Sequence, residues 1–266
     1  TAISIETLNS GIKVYAAANA QRIQQFKGII DRFDFEFHYQ PIVDFQKKDV
    51  AHFEMLSRFR TGESTQEWVV FGEDVGLAAD FDIAVCERAI NYLLYKGGVT
   101  RRKFAVNLSG QSMQNEQFFK TLLAKLTMNK GLSDRLIFEI TESTTMTQLE
   151  TVNRFIKTLQ ERGFKVCLDD FGAGAASFQY LQKLHVDYVK IDGQYTKRLL
   201  ASSRDAVMIK NINKMCEDLN VQVVVEQVEE RAQYEKLLEL GIKLGQGYYF
   251  GRPLPKPDYD ASQFPV

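Results

Sequence analysis

From Phe164 to Ile191 the chain reads FKVCLDDFGAGAASFQYLQKLHVDYVKI. Two short apolar runs, FKVCL and DYVKI, bracket a longer segment. The first run ends on the paired acids Asp169 and Asp170, and the second carries Lys190 between Val189 and Ile191. Short β-branched runs separated by longer segments are the pattern of strands in a parallel sheet, which is buried on both faces. A lysine inside such a strand needs a partner for its ammonium. The same texture extends outward in FEFHYQPIV, VAHFEML, KFAVNL, RLIFEI and VQVVV. Between the runs, Leu149, Val152, Phe155, Ile156 and Leu159 follow helical spacing, with Gly163 as the stop. Met208, Ile209, Ile212, Cys216 and Leu219 do the same, and a third long helix is expected between Leu77 and Tyr95. About seven strands alternating with helices favour a closed TIM-like (β/α)8 barrel, an α/β fold. The period alone leaves a doubly wound open sheet as the alternative.

The 266 residues are 45% apolar and 25% charged, which are ordinary globular proportions and exclude disorder for most of the chain. A formal net charge of -1 gives no broad electrostatic footprint for a nucleic-acid polymer. No apolar stretch reaches the ~18 residues of a membrane span, and TAISIETLNSG lacks the basic and apolar regions of a signal peptide. Cys86, Cys167 and Cys216 are scattered and odd in number, which argues against a disulfide framework and for a reducing compartment. His38, His52 and His185 form no pattern with cysteine that would hold zinc. Four of the five prolines lie beyond Arg252, so the tail is expected to be an irregular strap. The sequence divides into a lead-in or linker helix over residues 1–32 and one barrel domain over 33–266.

Polar groups interrupt the candidate strands at one end. Glu54 follows VAHF, Asn107 follows FAV, Glu139 follows LIF, Asp169 and Asp170 follow VCL, Lys190 follows YV, and Glu226 follows VVV. Singly, each has a bland reading: a turn residue, a helix cap, an exposed edge carboxylate. Together, the bland readings require the same accident at six strands. A barrel gathers its strand C-termini on one face, where its active sites lie. The donors are hard oxygens without His or Cys, a set that selects Mg²⁺ or Mn²⁺ over zinc or copper. Several carboxylates at adjoining positions suit a two-ion site for displacement at phosphorus, with the lysine to neutralise developing charge. Gly172-Ala-Gly174 imitates a dinucleotide-binding turn, but the aspartates before it would repel a pyrophosphate. Asn107-Leu-Ser109 matches a glycosylation acceptor, yet nothing indicates secretion.

In order, YQPIV, E-x-L, VNLS, FEITES, LDDFGAG, VDYVKID, VEQVE and QGYYFGRPLP resemble the motifs of the EAL-domain phosphodiesterases of bacterial cyclic di-GMP signalling, from about Phe35 to Pro255. The resemblance implies a TIM-like barrel with one antiparallel strand. It places metal ligands on Glu54, Asn107, Glu139, Asp169, Asp170 and Glu226, with Glu226 also the proposed base. It puts Lys190 and Gln246 near the attacking water, Gln40, Leu56 and Arg58 on substrate, and Glu142 on the loop after the paired aspartates. The departures are Met55 for alanine, Phe59 for tryptophan, a short TGESTQEW segment, Gln227 for glycine, and Ala173 and Ala175 for threonine and tyrosine. Those alanines lie in a loop that couples metal binding to the dimer interface in the family. They put regulation and turnover rate in question.

The expected activity is metal-dependent hydrolysis of cyclic di-GMP to linear pGpG, with two Mg²⁺ or Mn²⁺ ions and in-line attack of hydroxide. The alternatives are a receptor that holds the dinucleotide with little or no cleavage, and an unrelated metal-dependent barrel enzyme. The resemblance also implies a homodimer in the bacterial cytoplasm. SGIKVYA followed by ANAQRIQQFKGIIDR resembles the segment joining a GGDEF to an EAL domain. With no initiator Met, the expectation is a piece of a longer protein with GGDEF or sensory domains, this segment not inserting in a membrane.

Overall fold

Each apolar run named above becomes a strand: β1 (Phe35–Asp44), β2 (Asp49–Phe59), β3 (Phe104–Leu108), β4 (Leu136–Thr141), β5 (Lys165–Phe171), β6 (Tyr188–Ile191) and β7 (Gln222–Val225). An eighth, β8 (Leu244–Gln246), is too short for its pattern to stand out in the sequence. The structure, a computed structural model, describes residues 5–60, 64–95, 102–141, 149–173 and 181–259. The strands pair in chain order and close into a barrel. β1 is antiparallel to both β2 and β8, while the other neighbours run parallel. The doubly wound alternative is therefore excluded. The antiparallel entry follows from the tight β1–β2 connection, where Asp44 Oδ1 accepts the N–H groups of Gln46 and Lys47, both at 3.0 Å.

The helices are α1 (Ile5–Arg32), α2 (Thr65–Asp74), α3 (Ala78–Tyr95), α4 (Gly110–Met113), α5 (Glu116–Met128), α6 (Leu149–Gln160), α7 (Gly193–Arg198), α8 (Ser203–Asp218) and α9 (Arg231–Glu239). α6 buries Val152, Phe155, Ile156 and Leu159, and Gly163 ends the segment at φ 86°. α8 buries Ile209, Ile212 and Cys216, but Leu219, expected in its apolar set, is 52% exposed. That leucine is the C-cap, at the very end of the helix. None of the described helices is long and apolar enough to cross a membrane. All three cysteines are buried free thiols.

The lead-in helix packs firmly at its C-terminal end. Phe26, Ile29 and Ile30 of α1 are buried. The Phe26 ring stacks on Trp68 at 5.2 Å between centroids and meets Phe81 at 5.6 Å and Phe59 at 6.2 Å. Gly72 within α2 makes this possible, because a Cβ there would lie 2.6 Å from the Phe26 ring. A glycine in a helix interior costs ~1 kcal/mol of propensity, here offset by the close approach of α1. The tail from Arg252 is irregular as far as it is described, and it is pinned to β1 by two backbone hydrogen bonds between Tyr39 and Leu254.

Candidate active site

Strand period decides what faces the barrel interior. Successive side chains alternate, so inward residues on one strand stand two apart. A lower layer contains Ile42, Ala105, Ile137, Cys167, Val224 and Leu244 in two small apolar clusters, with Tyr188 against both. His52 joins it, its ring 5.7 Å from Tyr188 across the barrel. Burial lowers the His52 pKa to about 3, so the imidazole is neutral. Two residues further along each parallel strand lies a polar group: Glu54 beyond His52, Asn107 beyond Ala105, Glu139 beyond Ile137, Asp169 beyond Cys167. Lys190 follows Tyr188, Glu226 follows Val224 and Gln246 follows Leu244 in the same way. On β1, which runs the other way, the order reverses, and Gln40 precedes Ile42. Gln40 sits directly opposite Glu54 in the ladder.

Lys190 is the hub of this upper layer. Its Nζ lies 2.9 Å from Glu226, 3.2 Å from Glu139 and Asp169, and 3.3 Å from Glu54. Glu54 also accepts hydrogen bonds from Gln246 Nε2 at 2.7 Å and Asn107 Nδ2 at 2.8 Å. Gln246 Nε2 reaches Gln40 Oε1 as well, at 3.2 Å. Asp170 would point away from its neighbour Asp169 in a regular strand. The β5–β6 register shifts between Leu168 and Phe171, and Asp170 takes φ 55°. This irregularity turns it back, and oxygens of Asp169, Asp170 and Glu226 come within 4.8 Å of one another. Oxygens of Glu54, Glu139 and Asp169 form a second such trio, sharing Asp169.

Four carboxylates thus contact one ammonium, with a fifth, Asp170, beside them. Burial pushes the Glu54 carboxyl up, but Lys190 and the hydrogen bonds from Gln246 and Asn107 outweigh it and hold the group below its usual range. For the others, burial outweighs Lys190 and the hydrogen bonds they receive. Burial raises Glu139 well above the carboxylate range despite Lys190, and raises Asp169. Burial and the Asp169 charge raise Asp170 to about 6, and burial raises Glu226 to about 7. For Lys190, burial favours the neutral amine, but the surrounding carboxylates prevail and raise it well above the lysine range. A divalent cation would relieve this excess of negative charge. Glu139 Oε1 is buried without a hydrogen-bond partner, as an atom reserved for a cation would be. All the donors are hard oxygens, so the residues fit Mg²⁺ or Mn²⁺.

Leu56 and Arg58 lie two and four residues past Glu54 on β2, half-buried and roughly 7 and 13 Å further along the strand. On the same face of β2 as Glu54, they stand beyond the cavity beside that glutamate, which has a volume of about 390 Å³ and is lined by Gln40, Glu54, Glu226, Gln246, Gln227, Glu229, Gly247 and Tyr248. Glu142 falls outside the described residues, as do Gly174 and Ala175 of the altered loop. Ala173 is described, its N–H bonded to Asp170 O at 3.1 Å. The sequence reading did not single out Glu229 or Tyr248 and treated Gln227 only as a departure. Their signal was position: Glu229 stands three residues past Glu226, and Tyr248 two past Gln246.

A closed eight-stranded barrel with oxygen donors converging at its strand ends defines a TIM-like barrel with an acidic cluster at one mouth. The chain belongs to the EAL domain family, whose profile matches residues 21–253. It is 32% identical over 194 residues to the cyclic di-GMP phosphodiesterase PdeB of Shewanella oneidensis, covering 73% of this chain and 23% of that protein. It is 30% identical over 246 residues to the cyclic di-GMP phosphodiesterase PdeA of Borreliella burgdorferi, covering 89% of this chain and 36% of that protein. The chain therefore spans well under half the length of these curated relatives. The solved PaMucR phosphodiesterase, in complex with c-di-GMP, matches with a TM-score of 0.79 and 29% identity, covering 88% of this chain and 98% of that one.

Proposed function

We propose that this domain is a cyclic di-GMP phosphodiesterase that hydrolyses its substrate to linear pGpG. The observation that carries the reading is the pair of oxygen trios sharing Asp169 around Lys190, at the one barrel mouth that also presents Gln246. Glu54, Asn107, Glu139, Asp169, Asp170 and Glu226 would hold two Mg²⁺ or Mn²⁺ ions. Ions there would supply an acidified water and would neutralise charge developing on the phosphoryl oxygens. A dianionic dinucleotide would otherwise be repelled by the carboxylates. Gln246, anchored through Nε2, leaves Oε1 buried and unpartnered, suited to accept a hydrogen bond from the attacking water. Glu226, a half-buried member of the cluster, takes that water's proton. The water oxygen bonds to phosphorus, the P–O3′ bond breaks, and the 3′ oxygen leaves as a hydroxyl by taking a proton from solvent, to which Glu226 later releases its own. Lys190 keeps the carboxylates apart and offsets charge on the phosphoryl group. Arg58, Leu56 and Gln40 would contact the dinucleotide, with Arg58 on a phosphate. Glu142 would brace the loop after Asp170.

The proposal extends to context: a lead-in over residues 1–32, a barrel over 33–266, a homodimer, and GGDEF or sensory domains in a larger cytoplasmic protein. The test is to incubate the protein with cyclic di-GMP and Mn²⁺, Mg²⁺, Ca²⁺ or a chelator and resolve the nucleotides. Mn²⁺ or Mg²⁺ should yield pGpG, Ca²⁺ little, and chelator none. Intact cyclic di-GMP that nevertheless binds would favour the receptor reading. Equal turnover in chelator would refute the mechanism.

A further inference from the structure

β3 is five residues long, and its two neighbours hold it unequally. Its ladder to β2 ends at the Met55–Val106 pair, whereas the ladder to β4 continues through Asn107–Glu139 and Leu108–Ile140. Asn107 is therefore supported by backbone on one side only. Its carboxamide is nonetheless oriented: Nδ2 donates to Glu54 Oε1 at 2.8 Å, which leaves Oδ1 as the group available to a cation.

Contacts just past Asn107 hold the strand end. Ser109 N–H donates to Asp82 Oδ2 at 2.7 Å. Ser109 Oγ in turn caps α4, accepting from Ser112 N at 3.3 Å and lying 2.9 Å from Ser112 Oγ. Asp82 belongs to α3, not to the barrel, and is 6% exposed. Among the described residues no ion pair includes it. A buried carboxylate without a cation is costly unless its hydrogen bonds are needed where they are. Phe81, Val85 and Cys86 on either side are buried, so α3 gives Asp82 a rigid base.

We propose that Asp82 is a positioning residue for Asn107: by holding Ser109 N–H it replaces the missing β2 ladder and fixes the end of β3, so that Asn107 Oδ1 meets the carboxylate cluster. The inference rests on the reading of that cluster as a divalent-cation site. It assigns a role in the cation site to a residue of the outer helical layer.

The test is Mn²⁺ binding by titration calorimetry, with the thermal midpoint of the metal-free protein recorded alongside. Asp82→Ala should weaken Mn²⁺ binding about tenfold. Asp82→Asn should bind within about twofold of the parent, because its Oδ1 still accepts from Ser109. Asn107→Ala should weaken binding as Asp82→Ala does, and the double variant should lose little more, since both act on one ligand. Ser109→Pro approaches from the other side and covers the case in which Asp82→Ala does not fold. Ser109 has φ -69°, which proline adopts, and the change deletes the backbone donor and the cap hydroxyl while its ring carbon, in place of the N–H hydrogen, displaces Asp82 Oδ2. It should weaken binding to a similar degree. Asp82→Ala or Ser109→Pro with a lower midpoint but parental Mn²⁺ affinity would show a merely structural role and overturn the inference. A parent protein that binds no Mn²⁺ would instead overturn the cation-site reading, and this inference with it.

Discussion

Replacing Lys190 with methionine keeps most of the apolar stem and removes the ammonium. Nζ lies 2.9–3.3 Å from four carboxylates, and the residue is 1% exposed. At an effective dielectric near 20, each contact is worth on the order of 5 kcal/mol before the cost of burial is set against it. The net loss is smaller, because the carboxylates repel one another and can take up protons. Removing one partner of a buried ionic cluster typically costs ~3–5 kcal/mol. At ~2–4 °C per kcal/mol for a domain of this size, the metal-free Lys190→Met protein should melt roughly 6–20 °C below the parent. The deficit should shrink at low pH, where the carboxyls are neutral. Mn²⁺ should also raise the variant's melting temperature more than the parent's, because the variant carries one more uncompensated negative charge. Differential scanning fluorimetry with and without Mn²⁺ measures all three effects. A metal-free variant melting within ~2 °C of the parent, or equal Mn²⁺ shifts for both proteins, would refute the electrostatic account.

Glu54→Ala should abolish cleavage, while Arg58→Ala should chiefly raise KM, because a ligand of the reacting centre acts on the transition state and a phosphate clamp acts on both states. Steady-state kinetics separates the two, and near-normal kcat in Glu54→Ala would contradict the assignment. Phe26→Ala should cost ~3–5 kcal/mol in urea unfolding, since its ring is fully buried between α1, α2 and α3. A loss below ~1 kcal/mol would mean that α1 is only loosely attached. Burial raises Asp82 from 3.8 to about 6 in the folded protein, so the stability from its neutral form is present below about pH 4 and lost as pH rises through about 6. Asp82→Asn removes that loss, on the order of 3 kcal/mol, and its advantage over the parent should grow between pH 4 and pH 8. An advantage independent of pH would show that the carboxyl is not perturbed.

The barrel was legible because its strands are apolar runs with helical spacing between them, a pattern carried by each segment on its own. β8 was not: three residues, Leu244 to Gln246, give no period, and Gln246 entered only through the family resemblance. Lys190 betrayed itself by standing between two β-branched residues, and its burial gives that oddity a cause. Which strand ran antiparallel depended on the tight turn at Phe45–Lys48, whose Asp44 bonds the sequence does not display. The return of Asp170 to the mouth hangs on one backbone angle at a register shift. Asp82 lay in an apparently ordinary helix, and its partner Ser109 is 27 residues away. Leu219 kept the helical spacing but sits where the helix ends. Local pattern thus revealed elements, while contacts between distant segments decided which polar residues those elements hold together.

The central claim is that this mouth adds water across a phosphodiester of cyclic di-GMP. Running the reaction in ¹⁸O-labelled water with Mn²⁺, and reading the products by mass spectrometry, tests it in one measurement. The account predicts pGpG with one ¹⁸O on its 5′-phosphate and no such product in chelator. Cyclic di-GMP recovered intact by protein that binds both it and Mn²⁺, or a linear product without the label, would contradict it.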